Sequence, residues 1–233
     1  MFDDWKPKIG KGVTLRAWLK PQATPVGNGI VLAPPDLEQP RFWIAADWGY
    51  SAPCVVQLMM WSPGMEIDGR WYSRGSTLVI DEVTTARPGQ PHVGAELSVD
   101  DVSVLVKDMW SSWGLGGVPS GVIDDAAGTR NDKGVSIVDE FARCGVFFQE
   151  CGKGSRISGW QHMREMLYNA SLERIDKPGL FISSRCGYWW ETVPFLSRSM
   201  RHPEDLEGVA DHAADCTRYG LLRKSSPHPQ RSF

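Results

Sequence analysis

The 233-residue chain is sparing in the features that would settle its class at a glance. Its five cysteines, Cys54, Cys144, Cys151, Cys186 and Cys216, are odd in number and show no Cys-x-x-Cys spacing. That argues against a disulfide framework or a structural zinc site and for reduced, packed thiols in a cytosolic protein. No apolar run approaches the ~18 residues of a spanning helix, and the N-terminus lacks the apolar stretch of a signal peptide, so no membrane is expected. The string Gly-x-x-x-x-Gly-Lys-Ser/Thr is absent, which leaves ATP hydrolysis of the Walker type unsupported. A large excess of either charge is also lacking: 25 Lys and Arg against 28 Asp and Glu leave a formal net charge of −3. That is unlike a dedicated nucleic-acid coat protein, but it does not exclude a nuclease, whose acidic ligands cancel part of its basic surface in a whole-chain sum.

What is present is a chain 42% hydrophobic and 23% charged, enough for one substantial core. Eleven tryptophans supply large core or rim side chains, some available for stacking. Residues 1–40 read as a lead-in or linker, punctuated by Pro7, Pro21, Pro25, Pro34, Pro35 and Pro40, with one short strand at Gly29–Leu32. Strands are expected at Arg41–Ala46, Cys54–Trp61 and Thr77–Val83 as a meander. Beyond them the pattern alternates. A helix from the Ser98 cap to Trp113 precedes a strand at Gly121–Asp124, and a helix over Val135–Cys144 precedes a strand at Val146–Gln149. Then come a helix over Ser158–Ser171, a strand at Gly179–Ser183, a helical stretch from Arg185 that Pro194 interrupts, and a last helix ending at Leu222. A tail over 223–233 contains Pro227 and Pro229 and is expected to be flexible. The alternation predicts a single α/β domain over 41–222, a mixed sheet with helices on both faces.

The acids stand out within this arrangement. Asp47 ends the first strand and is followed by Gly49, and Asp124 ends the strand at Gly121–Asp124 with Asp125 beside it. Carboxylates at strand ends occupy the crevice where α/β sheets hold ligands; taken singly, each reads equally well as a turn residue capping backbone N–H groups. Asp211 and Asp215 are four apart, on one face of the last helix, and His212 adjoins them. Ala210, Ala213 and Ala214 let that stretch lie close to the sheet. Like charges gathered from distant stretches are costly unless a cation sits among them, so the set reads as a metal-dependent phosphoryl-transfer centre. Two basic loops, Arg130 with Lys133 and Lys153 with Arg156, are candidates for holding phosphates, with solvent-exposed surface residues as the plain alternative. Asp81 and Glu82 offer a weaker, outlying carboxylate.

Taken in order, several segments resemble the nuclease domain of the large terminase subunit of tailed bacteriophages. They are Phe42-Trp-Ile-Ala-Ala-Asp-Trp-Gly-Tyr-Ser-Ala-Pro53, Gly121-Val-Ile-Asp-Asp-Ala-Ala-Gly128, Gly134-Val-Ser-Ile-Val-Asp-Glu-Phe-Ala-Arg143, Lys153-Gly-Ser-Arg-Ile-Ser-Gly-Trp160 and Asp211-His-Ala-Ala-Asp-Cys-Thr-Arg-Tyr219. The resemblance implies an RNase H-like fold with catalytic metal ligands at Asp47, Asp124 and Asp215, and with Asp211 and His212 adjoining. It implies two Mg²⁺ or Mn²⁺ ions, cleavage of double-stranded concatemeric DNA during genome packaging, and DNA contacts by Lys153, Arg156, Arg130 and Lys133. The partners it implies are a packaging ATPase domain or subunit, a small terminase subunit and the portal protein, in the host cytoplasm. The ATPase half of such a subunit is not in this chain. Asp125 stands where the resembling motif has a small residue, which leaves open whether it replaces or assists Asp124. Two other readings fit the same residues: a Holliday-junction or RNA–DNA hybrid nuclease of the same fold, and a non-catalytic assembly module.

Overall fold

The computed structural model describes residues 40–67, 70–152, 156–172, 176–197, 200 and 210–222, and the backbone alone of 23–26, 29–32, 198 and 206–207. The tail over 223–233 and most of the lead-in lie outside the described residues. Within the lead-in, the expected strand at Gly29–Leu32 is present and pairs antiparallel with Ala23–Val26.

Six strands form the central sheet: β1 (Arg41–Asp47), β2 (Val55–Trp61), β3 (Thr77–Thr84), β4 (Ser120–Asp124), β5 (Phe147–Cys151) and β6 (Leu180–Ile182). Their order across the sheet is β5-β4-β1-β2-β3-β6. β2 runs antiparallel to β1 and β3, and every other pairing is parallel. The expected meander is therefore the centre of the sheet, and the later strands extend it on both sides. β2 is buried almost throughout and β1 from Trp43 to Ala46, as central strands covered on both faces must be.

Alternation along β1 sorts its side chains between two cores. Ile44 and Ala46, with Val56, Leu58 and Leu78, meet Val102, Val106 and Met109 of α1 (Val99–Ser112) and Phe141 of α2 (Ile137–Arg143). Trp43 and Ala45, with Val55, Met59 and Val122, meet Trp160 and Met163 of α3 (Arg156–Ser171), Trp189 of α4 (Gly187–Thr192) and Ala213 and Cys216 of α5 (His212–Leu222). The fold is thus the expected mixed sheet with helices on both faces. Four of the five free cysteines are buried in it, in line with packed thiols.

Local chemistry sets the helix starts. Ser98 and Ser136 each close a capping box, with Asp101 and Asp139 three residues on. Pro194 ends α4 early, in a 3₁₀ turn over Val193–Phe195, where the sequence pattern alone left its end open. α3 begins two residues before the expected Ser158. Two short hairpins, Met65–Ile67 with Arg70–Tyr72 and Ala86–Arg87 with Gln90–Gly94, escape the sequence reading because such short strands carry no clear period. Among the described residues no helix is long and apolar enough to cross a membrane.

Candidate metal centre

β4 lies parallel to β1 in a register that pairs Gly121 with Ile44 and Ile123 with Ala46. The next residue on each strand is an aspartate, so Asp47 and Asp124 stand side by side at the carboxyl edge of the sheet. The approach is close at this point: a Cβ on Gly121 would fall on the carbonyl oxygen of Ile44. Asp124 is buried, and its Oδ1 accepts the backbone N–H of Ala126 at 2.8 Å, capping a 3₁₀ turn that begins at Asp125. Asp124, not Asp125, is therefore the last strand residue, in register beside Asp47.

The third acid arrives on α5. This helix lies almost against β1 because its inner face is small: Cys216 Sγ donates to Ala45 O at 3.1 Å, and a Cβ on Gly220 would stand 2.9 Å from Ala45 Cβ and overlap Met59 Sδ. A buried polar belt ties the helix down. Gln57 Nε2 donates to Ala213 O at 3.0 Å, Thr217 Oγ1 donates to Gln57 Oε1 at 2.8 Å, and Trp189 Nε1 donates to Thr217 Oγ1 at 3.2 Å. Docked this way, α5 places Nδ1 of His212 at 2.8 Å from Oδ2 of Asp47 and holds Asp215 in the same buried region. Asp211 precedes the first turn, its carbonyl accepting the N–H of Asp215 at 2.8 Å.

The electrostatics show how crowded the acids are. Asp47 has its pKa pushed up to about 6, first by burial and further by the charges of Asp215 and Asp124, while the His212 hydrogen bond and charge pull the other way. His212 is raised in turn, chiefly by its bond to Asp47 and against the effect of its own burial. Asp215 is also raised, by burial ahead of the opposing charge and hydrogen bonds of Arg218. Arg218 Nε and Nη2 donate to Oδ1 of Asp215 at 2.9 and 2.7 Å, and Arg156 Nη2 donates to Oδ2 of Asp211 at 2.7 Å.

Every acid of the set therefore rests on a protein partner: His212 for Asp47, a backbone N–H for Asp124, Arg218 for Asp215 and Arg156 for Asp211. Among the described residues, no group of three or more His, Cys, Asp or Glu side chains is arranged to hold a metal ion as it stands. The donors themselves fit a hard divalent cation. They are carboxylate oxygens on two adjacent strand ends and a facing helix, buried at Asp124 and Asp215 and half-buried at Asp47, and desolvation and mutual repulsion hold Asp47 well above the ordinary carboxylate range.

The basic candidates are dispersed. Arg156 opens α3 and directs a donor to Asp211. Arg130 and Lys133 lie on the exposed loop before α2, where Arg130 Nη1 donates to Gly134 O at 2.7 Å and Nη2 stands 4.0 Å from Asp139. Lys153 lies outside the described residues. Asp81 and Glu82, adjacent on β3 and opposite Leu58 and Gln57, point to opposite faces of the sheet, just after a bulge in which β3 carries one more residue than β2. Asp81 turns to Trp113 Nε1 and Arg185, whereas Glu82 faces α4, accepts the N–H of Trp189 at 3.0 Å and has its pKa pushed up to about 7, chiefly by burial. Sequence reasoning missed Arg218 and the Gln57–Thr217–Trp189 belt. Arg218 had a signal, standing three residues after Asp215 on the same helix. Gln57 had one too, as a polar residue within an apolar strand.

The six-stranded sheet and its covering helices are shared with solved large terminases. The P22 large terminase nuclease domain superposes with a TM-score of 0.55 at 15% identity, over 82% of this chain and 84% of that one. The large terminase of a thermophilic bacteriophage, in complex with ADP, gives 0.54 at 12% identity over 78% of this chain, which spans 39% of that protein. A second crystal form of the thermophilic phage protein gives 0.51 at 12% identity, over 81% of this chain and 40% of that one. No protein-family model matches the chain, and no curated protein does. The fold is that of a large-terminase nuclease domain, an RNase H-like mixed sheet.

Proposed function

We propose that this chain is a metal-dependent endonuclease that cuts double-stranded concatemeric DNA during viral genome packaging. One observation carries the reading: Asp47 and Asp124 stand in register at the ends of two parallel central strands, with Asp215 brought to them by α5, in a fold shared with terminase nuclease domains. Asp47, Asp124 and Asp215 would hold divalent cations, Mg²⁺ or Mn²⁺, two in number by the resemblance. Such ions, when bound, supply an activated water and neutralise charge at the departing 3′-oxygen.

The chain's own residues do the rest. His212 donates its Nδ1 hydrogen to Asp47 Oδ2 and fixes the carboxylate's orientation. Asp124 is held on Ala126 N–H, which sets its rotamer. Arg156, partly exposed and paired with Asp211, is a cation able to exchange a carboxylate for a DNA phosphate, and Arg130, Lys133 and Lys153 are further candidates for contacts to the DNA backbone. Contacts of that kind read the phosphate chain and not base edges, so sequence preference is weak. The partners that follow are duplex DNA, a packaging ATPase domain or subunit, a small terminase subunit and the portal.

The test is cleavage of supercoiled plasmid with and without Mn²⁺ by wild type and Asp47→Asn, with circular dichroism to verify the fold. Wild type is expected to nick and linearise only with metal, and the variant to do neither. Metal-dependent cutting by the variant at the wild-type rate overturns the site. Parallel reactions on a four-way junction and an RNA–DNA hybrid discriminate the substrate: preference for either over linear duplex reassigns it.

A further inference from the structure

The nuclease reading leaves Arg218 without a part, although it is the most deeply buried charge at the site, with 3% of its side chain exposed. Its niche is built for it. The guanidinium carbon lies 5.3 Å from the ring centroid of Trp160 and 4.5 Å from that of Tyr219. Across from it α3 carries Gly159, where a Cβ would stand 2.7 Å from Arg218 Cδ and 2.8 Å from Cγ. Burying an ion pair is costly, and apolar side chains in place of both partners commonly serve stability at least as well, although removing one partner alone is strongly destabilising. Stability therefore gives no reason for this arginine to be paired with an aspartate here.

Its hydrogen bonds do. The planar fork sets two donors, Nε and Nη2, on one oxygen of Asp215. Two bonds from a side chain buried against Trp160, Tyr219 and Gly159 fix how the carboxylate is turned, and they leave Oδ2 outside the pair. Arg156 is the contrast. It approaches the same Trp160 ring, at 5.7 Å, and pairs with Asp211, but 41% of its side chain is exposed. Arg156 is placed to leave its aspartate; Arg218 is placed to stay.

We infer that Arg218 is a positioning residue, a resident counter-charge that holds Asp215 by Oδ1 so that the carboxylate meets a divalent cation in one fixed orientation. The inference rests on Asp215 being a metal ligand. It has an unusual consequence. Arg218 repels the cation whose ligand it orients, so removing it strengthens metal binding while disordering the ligand. Affinity and turnover then move in opposite directions, whereas a residue that only supported the fold would lower both.

The experiment titrates Mn²⁺ into the full chain at pH 8, reading free Mn²⁺ by electron paramagnetic resonance, and measures plasmid cleavage at saturating Mn²⁺. Arg218→Met is expected to bind Mn²⁺ at least about 3-fold more tightly and to cleave at least about 10-fold more slowly. Arg218→Lys restores the charge without the planar fork, so it is expected to return binding to the wild-type value and leave cleavage slow. Weakened Mn²⁺ binding in both variants overturns the inference, as does wild-type cleavage by either. Should Arg218→Met fail to fold, Arg218→Lys decides alone: slow cleavage with wild-type binding supports the inference, and any other pairing refutes it. A wild type that binds no more Mn²⁺ than Asp47→Asn removes the nuclease reading and this inference with it. A wild type that binds and cuts, without the opposed shifts, removes the inference only.

Discussion

The most direct physical test of the acidic centre needs no metal and no DNA. Asp47 has a pKa of about 6 in the fold against 3.8 for an ordinary aspartate, because burial and the charges of Asp215 and Asp124 outweigh the help of His212. Between those two values the folded chain binds more protons than the unfolded chain, so its stability falls as pH rises through the window from 3.8 to about 6 and is then level. The full difference corresponds to roughly 3 kcal/mol of destabilisation at pH 8, shrinking to about 0.5 kcal/mol at pH 4. Asp47→Asn removes the charge and keeps an oxygen for the Nδ1 hydrogen of His212. The metal-free variant is therefore expected to be more stable than wild type by roughly 1–3 kcal/mol at pH 8, the lower end allowing for the weaker bond to His212. His212 works in the same direction. Its raised pKa means its contribution is present below 6.5 and lost as pH rises through the folded value, so wild-type Asp47 loses its cation where it is fully charged. Urea unfolding in EDTA at pH 4, 6 and 8, followed by circular dichroism, measures the difference. A variant no more stable than wild type at pH 8, or a gain that does not grow between pH 4 and 6, would refute the reasoning that these acids crowd one another.

Two further outcomes follow from the packing and from the basic residues. Gly220→Ala brings a Cβ to 2.9 Å from Ala45 Cβ and onto Met59 Sδ, and it is expected to lower stability by about 1–3 kcal/mol although alanine is the better helix former by about 1 kcal/mol; thermal unfolding checks it, and an unchanged or raised midpoint refutes the tight docking of α5. Arg156→Ala is expected to weaken duplex binding uniformly across sequences and to reduce the slope of log affinity against log salt by about 1, measured by fluorescence anisotropy between about 50 and 200 mM salt; an unchanged slope removes Arg156 from the phosphate contacts.

The parts of this molecule legible in the sequence are those governed by short-range periodicity and by capping chemistry. The meander was legible because β1, β2 and β3 are long enough to show their pattern, and α1 and α2 because Ser98 and Ser136 each precede an aspartate by three residues. The short hairpin strands were not, since almost nothing repeats within them. The bulge at Ile80 of β3 was also hidden, because only strand pairing reveals it.

For the candidate centre the division is sharper. By itself the sequence determined that Asp47 and Asp124 would end strands and that Asp215 would lie on a helix with a small-residue face. Those facts follow from what precedes each residue in the chain. The tertiary structure alone decided that β4 would pair with β1 in the register that sets two aspartates side by side, and that α5 would dock closely enough for Asp215 to act on Asp47. It also decided which cation Asp211 would meet, Arg156, 55 residues away, whereas the Arg218–Asp215 pair is local, three residues apart on α5. Pairing across a sheet and between helices is fixed by the packing of whole faces, and no local pattern along the chain encodes it. The charges were readable one at a time, but the partners of Asp47 and Asp211 appeared only once α5 lay on the sheet.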